Sequence, residues 1–273
     1  LIDIITEIAF RTVELSEPEF EQEGLRFATV QSRALDRRGD VSVWIPEASE
    51  IGTLLILMHG VYGSHWVWPM KAGVHRTAQA LTAAGSISPM VIAMPSDGMA
   101  RDGSGYLPLG IEDAERWIVE EIPTIARLAA PALRANARVA IAGLSMGGYG
   151  ALRLGAKYPD RFCAVSAHSA ITNIAEFGPF VEGPLDAYLD SAPSEELDPL
   201  YWLRLHRDRL PKLRFDCGFD DHLLPGNRAL HKALQEEGIA HRFQEFAGGH
   251  DWSYWRENVI HTLRFVSEEI KDA

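Results

Sequence analysis

Gly143-Leu144-Ser145-Met146-Gly147-Gly148 lies between an apolar run, Arg138-Val139-Ala140-Ile141-Ala142, and a segment of helical character from Tyr149 to Tyr158. The local reading is strand, sharp turn, helix, with one serine at the apex. Such a turn, the G-x-S-x-G nucleophile elbow, strains the backbone of its serine and leaves little room for side chains two residues to either side. Gly143 and Gly147 meet that demand, while Gly148 and Gly150 are expected to let the new helix lie close against its strand. Ser145 is the candidate nucleophile.

Working outward, Thr53 to Met58 and Met90 to Met94 are continuous apolar runs, the pattern of strands buried on both faces. Leu25 to Ala34 and Val41 to Pro46 read as an antiparallel hairpin joined by the turn formers Asp36 to Asp40. Further strands are expected at Phe162 to Ala167, Leu213 to Cys217 and Arg242 to Phe246. Helices are expected at about Ala72 to Ala84, Ile111 to Ala130 (kinked or divided at Pro123), Asn227 to Glu237 and Trp252 to Lys271. The alternation predicts an α/β fold with a mostly parallel central sheet covered by helices on both faces. One domain over 1–273 is expected, with residues 171–211, rich in Gly-Pro pairs, as a cap-like insertion over the sheet's C-terminal edge. The acid-rich first two dozen residues read as a solvated lead-in.

The chain of 273 residues carries a net charge of −12, which argues against nucleic acid and anionic membranes as partners. A small-molecule substrate is expected instead, and a homo-oligomer is compatible with the composition. Cys163 and Cys217 both fall in strand-like runs and read as buried free thiols. The chain starts at Leu1, which leaves room for a removed signal peptide and a secreted location, although a cytoplasmic one is slightly favoured.

A serine hydroxyl needs a neighbouring base, and a base needs an orienting acid. His250 follows Phe246-Ala247-Gly248-Gly249 at the end of the last strand and can reach back to the elbow. The acid is expected after the preceding strand, where Asp216, Asp220 and Asp221 compete. Asp216 belongs to the strand itself. The Gly-x-x-Asp spacing from Gly218 favours Asp221, with Asp220 as the alternative. Oxyanion donors are expected from the backbone N–H groups of Met146, at a helix N-terminus, and Val61, in the loop after the first buried strand. His59 reads as structural. Tyr62, Trp66, Trp68, Trp252 and Trp255 flank this constellation, and Tyr62, Trp66 and Trp252 are the candidate pocket residues. No H-E-x-x-H, cysteine pair or G-x-G-x-x-G pattern occurs, so neither metal nor cofactor is expected.

Leu57-Met58-His59-Gly60, Pro95-Ser96-Asp97-Gly98, the elbow through Ala151, Asp216-Cys217-Gly218 and Gly248-Gly249-His250-Asp251-Trp252 occur in an order that resembles the putative-esterase family of α/β-hydrolases. The resemblance covers about Val41 to the C-terminus and is most similar to the tributyrin esterase branch. That family includes S-formylglutathione hydrolases and feruloyl and acetylxylan esterases. The resemblance implies an α/β-hydrolase fold, a triad of Ser145, Asp221 and His250, and oxyanion donors at Val61 and Met146. The function expected is a serine carboxylesterase for short-chain acyl esters. Feruloyl or acetylxylan esterase and S-formylglutathione hydrolase are the enzymatic alternatives, although the loop Gly60 to His65 lacks the cysteine usual in the last. A silent hydrolase fold used for binding and a metal-dependent hydrolase are the remaining alternatives.

Overall fold

The computed structural model describes residues 10–99 and 101–271. Among these residues nine strands form one sheet: β1 (Val13–Leu15), β2 (Leu25–Ser32), β3 (Arg37–Trp44), β4 (Ile51–Met58), β5 (Val91–Pro95), β6 (Leu133–Leu144), β7 (Ala164–His168), β8 (Lys212–Gly218) and β9 (Arg242–Phe246). Their order is β1-β2-β3-β5-β4-β6-β7-β8-β9. The pairs among β1, β2, β3 and β5 are antiparallel, and all others are parallel.

Strand β4 sits in the middle, in register with β5 through Leu55 opposite Ile92 and with β6 through Met58 opposite Gly143. Its alternate side chains separate two cores, as a strand's period of two requires. Leu54, Ile56 and Met58 pack with Trp117, Ile122, Ile125 and Leu152 on one face. Leu55 and Leu57 pack with Val74, Ala78, Val259 and Leu263 on the other. The first face is covered by α2 (Ile122–Ala129), α3 (Met146–Lys157) and α5 (Leu224–Glu236), and the second by α1 (Val74–Ala83) and α6 (Trp252–Lys271). Between β7 and β8 run three short helical turns and α4 (Pro199–Leu205). They are held to α3 by Tyr149 Oη donating to the Leu197 carbonyl (2.6 Å) and Arg153 Nε donating to the Glu196 carbonyl (2.9 Å).

Several expected boundaries shift, each for a tertiary reason. The lead-in is not wholly solvated, because Val13–Leu15 adds an edge strand to β2; residues 1–9 lie outside the described residues. The hairpin turn is at Arg33–Asp36, not Asp36–Asp40, and is fixed from across the molecule: Glu121 accepts from Ser32 Oγ, Arg33 N and Ala34 N. The helix expected from Ile111 starts at Ala114, since Glu112–Asp113 pairs with Pro108–Leu109 and Asp113 caps the turn by accepting from Arg116 N. It widens into a π turn over Trp117–Glu121, where a regular helix would drive the Pro123 ring into the Val119 carbonyl. Gly148 and Gly150 face Ala170 and Tyr106 rather than their own strand, since an added Cβ would lie 2.9 and 2.8 Å from those side chains.

Asp216, on β8, is wholly buried. It accepts from His168 Nδ1 (3.0 Å), Arg214 Nη2 (2.7 Å) and Tyr254 Oη (2.7 Å). Burial alone would raise its carboxyl, but His168 and Arg214 reverse the sign and hold it down at about 2. A folded-state value below the unfolded one contributes stability that is complete above about pH 4 and is lost as pH falls through about 2. The thermal midpoint should therefore drop across that window. Asp216→Asn should weaken this dependence and cost about 3–5 kcal/mol at neutral pH by leaving Arg214 uncompensated. Melts at pH 2 to 7 measure both effects, and an unchanged pH dependence in the variant would contradict the assignment.

Candidate active site

Strand β6 ends at Leu144 and α3 begins at Met146, leaving Ser145 alone at the apex with φ 54° and ψ −117°. No L-residue adopts that backbone without strain. The strain is held by three backbone hydrogen bonds. Ser145 N donates to the His168 carbonyl (2.9 Å), and the Ser145 carbonyl accepts from Tyr149 N (3.0 Å) and Ile171 N (3.2 Å). A Cβ at Gly143 would overlap the Gly147 carbonyl, and one at Gly147 would lie 2.5 Å from the His59 carbonyl oxygen. Here the two glycines are required by close backbone approach rather than by a left-handed φ of their own.

The loops after β8 and β9 bring two side chains to this serine. His250 Nε2 is 3.0 Å from Ser145 Oγ, and His250 Nδ1 is 3.0 and 3.2 Å from the two oxygens of Asp221. A carboxylate only accepts, so Nδ1 carries the proton and Nε2 is left as the acceptor for the serine hydroxyl. Asp221 is buried and also accepts from Leu223 N at 2.8 Å. Burial pushes its carboxyl up, yet the bonds from His250 and Leu223 outweigh that and hold it below the ordinary range. The other two aspartates are now separated by position. Asp220 is exposed and meets the histidine loop only through its amide, which donates to the Gly248 carbonyl (2.9 Å). Asp216 serves the buried cluster described above.

The loop after β4 lies against the elbow, since a Cβ at Gly60 would be 3.2 Å from Ser145 Cβ. The Gly60 carbonyl accepts from His59 Nδ1 (2.6 Å) and Gly63 N (3.1 Å). In a trans peptide the next N–H points the opposite way, so anchoring that carbonyl turns the Val61 amide outward. Among the described residues, neither the Val61 nor the Met146 amide donates to a backbone acceptor outside regular elements. The Met146 amide is one of the unpaired donors at the start of α3. His59 is thus a structural anchor, as its sequence position suggested.

A model of the Putative esterase family matches residues 32–266. The chain belongs to the Putative esterase family. This esterase is 28% identical over 233 residues to the acetyl esterase of Caldicellulosiruptor saccharolyticus, spanning 78% of the chain and 83% of that protein. Among solved structures, a ferulic acid esterase at 27% identity superposes with a TM-score of 0.76 over 94% of this chain and 99% of its own. The S-formylglutathione hydrolase FrmB of Staphylococcus aureus, 19% identical, superposes at 0.75 over 93% and 99%, a likeness of fold. The esterase therefore has the α/β-hydrolase fold and is a serine carboxylic ester hydrolase.

The cleft over Ser145 in the esterase has a volume of about 410 Å3 and is walled by Tyr62, Trp66, Phe180, Trp252 and Trp255, with Lys71 at its edge. The three pocket candidates are thus all on its wall. Trp68 is not, because it is buried with Nε1 donating to the Met58 carbonyl (2.9 Å). Trp255 stands edge-on to the His250 ring, 5.0 Å between centroids, and Phe180 lies tilted over it at 5.4 Å. Sequence reasoning missed Phe180 and Lys71. Phe180 comes from the segment between β7 and β8, and what brings it here is Tyr62 Oη donating to its carbonyl (2.6 Å), a contact over 118 residues with no local signal. Lys71 Nζ sits 5.3 Å from the Trp252 ring centroid. A larger hollow of about 610 Å3 beside Phe10 and Asp36 has one hydroxyl on its wall, that of Ser32, which donates to Glu121 and has no histidine beside it in the lining. Among the described residues, the one cluster with metal-ligand spacing is Asp221, His222 and His250, two of which are already bonded to each other. Cys217 is buried and Cys163 half-buried, both as free thiols.

Geometry separates the two neighbouring aspartates sharply. Asp221→Asn should lower kcat/KM on p-nitrophenyl acetate by about 10⁴-fold, by favouring the wrong imidazole tautomer. Asp220→Asn should change it less than about threefold. Steady-state rates of the two variants decide it, and the reverse pattern would move the acid to Asp220.

Proposed function

We propose that the esterase hydrolyses small acyl esters through an acyl-enzyme on Ser145. The observation that carries this reading is the continuous chain from Ser145 Oγ to His250 Nε2 and from His250 Nδ1 to Asp221, each link 3.0 Å, opening on a cleft. Ser145 Oγ attacks the ester carbonyl carbon as its proton passes to His250 Nε2. The tetrahedral oxyanion is met by the Val61 and Met146 N–H groups, with the α3 dipole adding to the second. Asp221 stabilises the imidazolium without taking its proton. The intermediate collapses with proton transfer from His250 to the leaving alcohol, leaving acyl-Ser145. Water then attacks the acyl carbon while giving a proton to the same nitrogen, and the acid leaves as the acyl–Oγ bond breaks and His250 returns that proton to Ser145 Oγ.

A small acyl group is supported by the modest cleft, by Phe180 closing over His250 and by the likeness to an acetyl esterase. In this reading the segment 171–211 acts as a small cap, and no cofactor takes part in the acyl transfer. A second reading, hydroxycinnamoyl esters, is favoured by one observation: Trp66, Trp252 and Trp255 offer flat aromatic surfaces beside the nucleophile. The 27% identical ferulic acid esterase agrees with it. A thioesterase role has less support, since neither cysteine lines the cleft.

Ser145→Ala should reduce turnover of p-nitrophenyl acetate by at least about 10⁴-fold and abolish fluorophosphonate labelling, while circular dichroism shows the fold retained. Labelling that survives in the variant would overturn the nucleophile. In a chain-length series kcat/KM should peak at acetate to butyrate and fall for octanoate. Phe180→Ala should raise the octanoate-to-acetate ratio by about tenfold, the scale of a methylene or two of pocket space. A peak at octanoate in the wild type would refute the small-acyl preference, and methyl ferulate turned over faster than acetate would install the second reading.

A further inference from the structure

Below the cleft, on the side of the sheet covered by α6, the segments that carry Asp221 and His250 meet at one buried carboxylate with β7, the strand that holds the Ser145 amide. Asp216 precedes Asp221 by five residues on the same strand and loop. Its partner His168 gives its backbone carbonyl to the Ser145 amide, and His168 Nε2 is held in turn by Thr262 Oγ1 at 2.7 Å. Its partner Tyr254 stands four residues after His250, in the first turn of α6. Two of the segments are fixed by parallel strand pairing, with β7 in register against β8 through His168 opposite Asp216. The histidine segment is tied in the same way only up to Phe246, opposite Gly218 and four residues before His250. It leaves β9 through Gly248 at φ 122°, and that turn lies against the Tyr254 ring, where an added Cβ would be 3.0 Å from Tyr254 Cδ2. Its other ties to the acid loop are the Phe219 amide donating to the Phe246 carbonyl (2.8 Å) and the Asp220 amide donating to the Gly248 carbonyl.

We propose that Tyr254, through the hydrogen bond of its hydroxyl to Asp216, is a positioning residue that sets the placement of His250 against Asp221 and Ser145. The inference rests on the serine-esterase reading of the site. Thr262 ties α6 to His168 and to Ser166 Oγ (2.6 Å), but about two turns farther along the helix. At the helix start, ring packing by itself would hold the Gly248 turn while leaving the first turn of α6 some freedom against the sheet. The directed bond to a fixed, buried anion removes that freedom. Burial, followed by the Asp216 charge, drives the tyrosine hydroxyl far above its usual range, so it remains a donor throughout the working pH range. His250 takes and returns a proton in both half-reactions, so its misplacement slows acylation and deacylation together and leaves KM little changed. Displacements of about 1 Å in such a site are worth up to about 10²-fold in rate.

The test is Tyr254→Phe, which removes one oxygen and keeps the ring, beside Val259→Ala, a cavity variant at a wholly buried position of the same helix. Thermal melts give the stability lost by each. The expected result for Tyr254→Phe is a fall of about tenfold or more in both kcat and the fluorophosphonate labelling rate, with KM within about twofold of wild type. Val259→Ala, at an equal or greater loss of melting temperature, should keep both rates within about twofold. Labelling of Tyr254→Phe at the wild-type rate, or an equal fall in Val259→Ala, would overturn the positioning role alone. A wild type that is not labelled at all would overturn the nucleophile assignment with it.

Discussion

The backbone of Ser145 is the constraint on which the rest depends. At φ 54° and ψ −117° the residue points its hydroxyl away from both the strand it leaves and the helix it starts. That conformation is unfavourable by itself and persists only where the surroundings over-determine it. Here the surroundings are a strand buried in the centre of the sheet, a helix that cannot move because Gly143 and Gly147 have let the backbones into contact, and the His168 carbonyl waiting for the serine amide. The position of the elbow in turn fixes where the loops after β4, β8 and β9 must end to be of use. All of them leave the C-terminal edge of the parallel strands, so their tips converge without any long-range design in the loops themselves.

Two histidine–carboxylate pairs lie near one another and show how environment divides like chemistry into unlike roles. His250 with Asp221 is half-buried and faces Ser145 across a cleft. His168 with Asp216 is wholly buried and closed on every side by Arg214, Tyr254 and Thr262. In the proposed mechanism the first pair exchanges a proton with the bound ester, whereas the second faces no cleft and is an internal anchor. Buried ion pairs of the second kind are weak evidence for stability, because desolvation offsets most of the attraction. Their directed bonds fix the relative placement of strands and helices, which apolar packing fixes less sharply.

The cleft is assembled differently from the triad. Tyr62, Trp66, Trp252 and Trp255 sit within a few residues of motif positions, the first two on the loop after β4 and the last two in the first turn of α6. Phe180 belongs to a long irregular segment and is held over the His250 ring by Tyr62 Oη donating to its carbonyl and by the Glu182 amide donating to Asp102. Ser145, Asp221 and His250 thus stand within a few residues of strand ends, while Phe180, the wall residue that the proposed reading ties to acyl size, comes from the least regular part of the chain.

The sequence by itself determined the alternating architecture, the elbow at Ser145, the histidine at 250 and the family, because each is written in local terms: apolar runs, glycines two residues from a serine, a histidine after a terminal strand. It narrowed the acid to neighbours. Only the folded chain separated Asp221, turned inward to His250, from Asp220, turned to solvent, since adjacent loop residues differ by a backbone rotation that no spacing encodes. Only the folded chain, likewise, placed the hairpin turn at Arg33–Asp36 under Glu121, made a strand of Val13–Leu15, brought Phe180 over the histidine and joined Tyr254 to Asp216. Local patterns record what a residue's neighbours in the chain require of it. Contacts across tens of residues depend on how the whole sheet twists and closes, and they leave no periodicity to read.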